Sequence, residues 1–192
     1  MKTIAVLFAR ADSVYKSLQG CDVWDIERDA RRWPGGAPVV AHPPCRAWST
    51  MRRFAKPRKG ERFLATWAIR QVRRWGGVLE HPAGSRLWSR AKLPRPGAGT
   101  DRHGGWTLGL YQHAFGHRAE KKTILYIVGV GPKEIPALPA QRDAEGPRGT
   151  YGCACLDRDA VQCAAIRYGM DHWGEACQCL CHQWGDDDDN LG

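Results

Sequence analysis

APVVAHPPCRAW (residues 37–48) and ERFLATWAIRQVRRWGGVLEHP (residues 61–82) decide the fold. Ala37–Ala41 is short, apolar and preceded by Pro34-Gly35-Gly36, the pattern of a buried strand. From Glu61 to Trp75, Phe63, Leu64, Trp67, Ala68, Val72 and Trp75 recur at helical spacing, so one face of a helix is apolar. Gly76-Gly77 ends that helix, and Val78–Glu80 starts another strand. Strand, loop, helix, strand is a βαβ crossover, which requires parallel strands and prefers a right-handed turn. Outward from it, Thr3–Phe8 reads as a first buried strand and Cys21–Trp24 as a second. Asp12 or Ser13 is placed to cap a short helix running to Leu18 and ended by Gly20. Thr123–Gly129 (TILYIVG) is a further strand, rich in β-formers. The expected class is α/β with a mostly parallel sheet.

The chain has 192 residues, of which 43% are apolar, enough for one ordinary domain and an appendage. No apolar run reaches the ~18 residues of a membrane span. The opening MKTIAVLFARAD has too short an apolar run for a signal peptide, so the expected location is the cytoplasm, without membrane attachment. The net charge of +9 is unevenly placed. Residues 1–131 hold 24 Lys/Arg against 9 Asp/Glu, whereas residues 132–192 hold 5 against 11. A basic body suits an anionic partner, most simply nucleic acid, although a merely basic surface has the same composition. The domain reading is a 1–131 α/β body, a Pro/Gly-rich linker over 132–150, a Cys-rich segment over 151–185 and an acidic tail over 186–192. Oligomeric state has no signature in the sequence.

In an open α/β sheet, ligands bind at the carboxyl ends of the strands. Three unusual segments fall there: VVAHPPCR around Cys45, GVLEHP around Glu80, and GHRAEKK before the strand 123–129. Two prolines stiffen the loop that presents Cys45, while His42 and Arg46 favour its thiolate. A carboxyl at Glu80, partly buried at a strand end, is able to stay protonated or to pass a proton. A stiff cysteine facing a carboxyl suits covalent addition to an electron-poor ring. After Cys45, six of the fourteen residues 46–59 are basic (Arg46, Arg52, Arg53, Lys56, Arg58, Lys59), interleaved with Trp48 and Phe54. Cations meet phosphates and aromatic faces stack on unpaired bases, so His42, His81 and this loop are candidate DNA contacts. In the tail, Cys153, Cys155, Cys163, Cys177, Cys179 and Cys181 crowd together, and a structural zinc is the first reading. Free thiols or an iron–sulfur site would need the same residues.

These segments resemble the DNA cytosine-5 methyltransferase family. VVAHPPCR is similar to its strand followed by a Pro-Pro-Cys loop, whose cysteine attacks C6 of a flipped cytosine. GGVLEHP resembles its strand ending in Glu-Asn-Val, whose glutamate contacts N3 and the exocyclic amine. FGHRAEKKTILYIVG resembles its Gln-x-Arg-x-Arg segment and following strand. Short methyltransferase-like proteins of phage and prophage genomes are also similar, which would place the chain in a host cytoplasm. The resemblance implies a reduced Rossmann-like methyltransferase domain with a small Cys-rich appendage. It implies Cys45, Glu80 and Arg118 as catalytic residues, with Lys121 and Lys122 steadying base or phosphate. S-adenosylmethionine is the implied cofactor, contacting Phe8 and Asp25, with Glu27 a second acid for its ribose. The family's Phe-x-Gly-x-Gly loop is here Leu7-Phe8-Ala9-Arg10-Ala11-Asp12, without glycine, and Glu-Asn-Val is Glu80-His81-Pro82. Two other functions share these features: a DNA-binding or protective module without catalysis, and an enzyme acting on free pyrimidine nucleotides with another donor.

Overall fold

The computed structural model describes residues 3–115 and 121–138. Six strands form one mixed sheet: β1 (Ile4–Leu7), β2 (Cys21–Trp24), β3 (Val39–Ala41), β4 (Gly77–Pro82), β5 (Trp106–Tyr111) and β6 (Lys122–Val128). Their order is β2-β1-β3-β4-β6-β5. The first four run parallel, and β6 is antiparallel to both of its neighbours. An α/β architecture with a largely parallel half is therefore present. β5 has no counterpart in the sequence reading, because Gly109 interrupts its apolar pattern and a Gly/Pro-rich stretch precedes it. No helix among the described residues is long and apolar enough to cross a membrane.

Helix α1 (Arg62–Trp75) joins β3 to β4 and packs across β3, β4 and β6. Its buried face is Ala65, Ala68, Ile69 and Val72, a narrower stripe than the sequence suggested. Small residues let the helix approach the sheet closely, and Trp67 and Trp75 flank this contact half-buried. Phe63 is 71% exposed, which corrects its assignment to the core. The other face of the sheet carries a smaller cluster, Val6, Ala9 and Val23, against Tyr15 and Val40. The segment expected to be helical from Ser13 is a 3₁₀ turn, Val14–Ser17, with Ser13 Oγ accepting from the Tyr15 amide. A second short helix, α2 (Leu87–Arg90), follows β4.

The α1–β4 junction depends on glycine. Gly76 caps the helix at φ 77°, and Gly77 enters β4 at φ 118°. A Cβ on Gly77 would lie 2.0 Å from the Val39 carbonyl oxygen, so no side chain fits while β3 and β4 stay paired. The last turn of α1 is also tied to β6: Arg73 Nε donates to the Tyr126 hydroxyl, which in turn donates to Asp101. Burial pushes the Tyr126 phenol up to about 12, so it keeps its proton and the bridge persists across the physiological range. Gly77→Ala should cost on the order of 3 kcal/mol, or about 10 °C in Tm. Gly36→Ala, where nothing lies within 4 Å, should cost only its backbone strain, and paired thermal melts read the difference.

Candidate functional site

The chain passes from β1 outward to β2, then returns across β1 to β3. That reversal makes the β1/β3 carboxyl edge a topological switch point, where α/β sheets bind ligands. Phe8 leaves β1 there, Asp25 leaves β2, and His42-Pro43-Pro44-Cys45 leaves β3. Ala41 pairs with Leu79 on β4, so the next residues, His42 and Glu80, are level. Strand alternation points both away from the face that α1 covers.

Glu80 is the centre of this edge. It is 8% exposed, and its carboxylate meets four donors. Oε1 accepts from Gln112 Nε2 at 3.1 Å, Thr123 Oγ1 at 3.3 Å and Lys121 Nζ at 3.4 Å. Oε2 faces His42 Nδ1 at 3.3 Å. Burial pushes the carboxyl up, but the Lys121 charge, the His42 hydrogen bond and the His42 and His81 charges outweigh it and bring it down to about 2. Glu80 is thus an anion at neutral pH, which corrects the expectation of a protonated carboxyl. An anionic carboxylate only accepts, so His42 Nδ1 carries a proton. Its Nε2 is buried without a hydrogen-bond partner, and the ring is tilted against Tyr15 with centroids 5.7 Å apart.

Cys45 is 5% exposed and opens the 3₁₀ turn Arg46–Trp48. Arg46 is 6% exposed and holds Glu61, Nη2 to Oε2 at 2.6 Å and Nε to Oε1 at 3.3 Å. Its charge is therefore met by Glu61, which corrects its assignment to DNA and weakens its expected pull on the Cys45 proton. The segment 42–46 is held at both ends, by Glu80 through His42 and by Glu61 through Arg46. Trp48 is 4% exposed under the Arg62 guanidinium, so it offers no stacking face and is corrected to a core residue. Its Nε1 is buried without an acceptor. His81 is fully buried, edge-on to Trp88, and Lys121 is turned inward to Glu80, so both lie within the sheet edge and not on its surface. Lys122 is exposed over the Tyr111 ring. Arg52, Arg53, Lys56 and Lys59 are exposed, and Arg58 is half-buried.

A cleft of about 250 Å³ lies at the β1–β2 part of the same edge. Phe8, Asp25, Ile26, Asp29, Arg31, Arg58, Lys59, Glu61 and Leu64 are among its lining residues. Phe8 and Asp25 were both expected to hold a cofactor, and both line it. Glu27 does not; its side chain is exposed, and the structure uses its amide to donate to Asp25 Oδ1. Asp25 also receives the Arg28 amide at 3.0 Å and Lys16 Nζ at 2.7 Å. Burial alone would raise its carboxyl, but Lys16 and the two amides hold it below the ordinary range. Phe8 sits at φ 61°, a left-handed conformation that ordinarily costs a side chain roughly 1–2 kcal/mol. Its ring is buried edge-on to Trp67 with centroids 5.8 Å apart. Glu61 links this cleft to the segment that carries Cys45, since the carboxylate that lines one holds Arg46 of the other.

Gln112, Thr123, Tyr15 and Glu61 belong to the site without having been singled out from sequence. Gln112 and Thr123 reach Glu80 only because β6 folds back antiparallel on β4, a pairing that no local pattern announces. Arg118 and the cysteines 153, 155, 163, 177, 179 and 181 lie outside the described residues, as do most of the linker and the acidic tail. Among the described residues no cluster of three or more metal-ligating side chains occurs. No protein-family model, curated protein or solved structure matches the chain.

Glu80→Gln removes the charge facing buried Lys121 and should destabilise the protein by about 3–5 kcal/mol at pH 7. Because the folded carboxyl titrates below its ordinary value, its contribution is complete above roughly pH 4.5 and is lost as pH falls through about 2. Denaturant titrations of both proteins across that window should show the gap closing toward acid. A gap that stays constant would contradict an ionised Glu80.

Proposed function

We propose that the chain modifies a pyrimidine base in DNA through covalent addition of Cys45, and that the modification is methyl transfer to C5 of cytosine. One observation carries this reading. Two adjacent parallel strands bring the Pro43-Pro44-Cys45 turn and the anionic Glu80 to one sheet edge, beside a switch-point cleft that Phe8 and Asp25 line. The strand order is also what a reduced Rossmann-like domain would have. The basic body supplies the charge that DNA requires.

The chemistry follows from the residues. The Cys45 thiolate adds to C6, an S–C6 bond forms, and the C5–C6 π pair moves onto C5. Glu80, being anionic, accepts a hydrogen bond from the exocyclic amine and does not itself supply a proton to N3. The pair on C5 would then form the bond to the methyl carbon while the donor's carbon–sulfur pair stays on sulfur as a neutral thioether; the C5 proton leaves, its pair re-forms C5=C6 and the thiolate departs. His42 Nε2 is the acceptor for that proton, held in the right tautomer by Glu80. S-adenosylmethionine supplies an electrophilic methyl group when bound. The cleft offers groups of the right kind: Asp25 for hydroxyls, Lys59 for a carboxylate, and Ile26 and Leu64 for an apolar ring, while Arg31 and Asp29 on the same wall are paired with each other at 2.6 Å. Phe8 takes room that the resembling family leaves open with glycine, and this favours a second reading, a DNA-binding module without turnover.

Calorimetric titration of S-adenosylmethionine into the folded chain separates the two. One-to-one saturable binding, with methylated cytosine in digested DNA, is expected. Cys45→Ser should lower that product by roughly a thousandfold or more while leaving the circular dichroism spectrum unchanged. Absence of binding by folded protein would remove methyl transfer and leave the module.

A further inference from the structure

The segment that follows the nucleophile's turn presents two aromatic rings to solvent. Phe54 is 56% exposed and Phe63 is 71% exposed. Neither waits for a place in the core, because α1 completes its contact with the sheet through Ala65, Ala68, Ile69 and Val72. Arg52, Arg53, Lys56 and Lys59 are exposed around them, and none has an ion pair among the described residues. The one acid of this stretch, Glu61, is buried and spent on the Arg46 guanidinium and the Arg58 amide. Four cations without an ion pair among the described residues thus share one short segment with two open rings, and Lys59, Gly60 and Glu61 of that segment line the switch-point cleft. Cations on phosphates with rings on base faces is how proteins hold unpaired strands, since every base has a face and none needs to be read.

We propose that the surface from Arg52 to Phe63 is a stacking platform for an unpaired nucleic-acid strand, with Phe54 and Phe63 taking bases and the neighbouring cations taking phosphates. It rests on the nucleic-acid reading above and narrows it, from DNA in general to a strand whose bases are open. An anionic lipid surface also attracts cations and phenyl rings. Insertion there needs a continuous apolar face, and the apolar face of α1 is turned into the core.

Fluorescence anisotropy with the full chain tests this, using labelled oligo(dT) of about 16 nucleotides, the upper site size of a single OB-fold, a module that holds unpaired strands in the same way. Oligo(rU), a duplex of equal length and phosphatidylserine vesicles form the other arms. Oligo(dT) should bind more tightly than duplex. Phe54→Leu and Phe63→Leu keep apolar bulk at exposed positions, so folding is spared. Each should weaken oligo(dT) binding about five- to tenfold, with the salt dependence unchanged. Phe63→Trp should keep wild-type affinity. Arg52→Gln and Arg53→Gln should instead flatten the slope of log affinity against log salt by about 0.7 for each phosphate left without its cation. Equal weakening for oligo(rU) would extend the platform to RNA and support it. Leucine variants that bind like wild type would overturn the platform while leaving DNA binding intact. Vesicle binding that alone depends on the rings would overturn it in favour of lipid. No binding to any nucleic acid would overturn both the platform and the function above.

Discussion

A carboxylate buried in a sheet cannot stay charged unless donors surround it, and Glu80 recruits its donors from three parts of the chain. His42 comes from the end of β3, Gln112 from the turn after β5, and Lys121 and Thr123 from the start of β6. The antiparallel hairpin β5–β6 is therefore fastened to the parallel half by one charge as well as by backbone pairing. Such an arrangement is a weak source of net stability, because the desolvation cost offsets most of the attraction. Its value lies in fixing geometry: removing any partner leaves a buried group unmet, so the constellation forms whole or not at all.

That constraint governs the chemistry of the edge. Glu80 is committed as an anion with most of its acceptor positions taken, so it orients its neighbours more than it moves protons. His42 is held by Glu80 through Nδ1, and its Nε2 is buried without a hydrogen-bond partner; in the proposed reaction this nitrogen takes the proton. At the other end of the same short segment, Arg46 is locked to Glu61, whose carboxylate belongs to the wall of the cleft. Cys45 lies between two clamps, stiffened further by Pro43 and Pro44. In the proposed reaction, a thiol held this way would lose little entropy on reaching a near-attack position.

Much of this edge was legible in the sequence. The run Ala37–Ala41, the helix before Gly76-Gly77 and the strand leading to Glu80 were readable because strand and helix periods differ and glycine ends helices. Parallel pairing then follows from connectivity, and with it the placement of Cys45 and Glu80 at one sheet edge; the His42–Glu80 contact came only from the structure. Burial of individual polar residues was not legible. Arg46, Trp48, His81 and Lys121 look like surface groups, yet each is buried, and the partners of Arg46 and Lys121, Glu61 and Glu80, are brought to them only by the fold. Phe63 erred the other way: it fits the helical stripe, but the buried face of α1 runs through Ala65, Ala68, Ile69 and Val72 and leaves Phe63, in its first turn, exposed. Strand β5 was hidden by Gly109 and by its dependence on β6 for pairing.

The central claim is that Cys45 forms a bond to a pyrimidine carbon, and it is tested most directly by trapping that bond. DNA carrying 5-fluorocytosine blocks loss of the C5 substituent, so the thioether to C6 persists. The protein would be incubated with this DNA and S-adenosylmethionine, digested with trypsin, and analysed by mass spectrometry at peptide 33–46, which contains Cys45 as its sole cysteine. The account predicts that this peptide carries the mass of the modified nucleotide. An unmodified peptide, from protein shown to hold both DNA and cofactor, would contradict it.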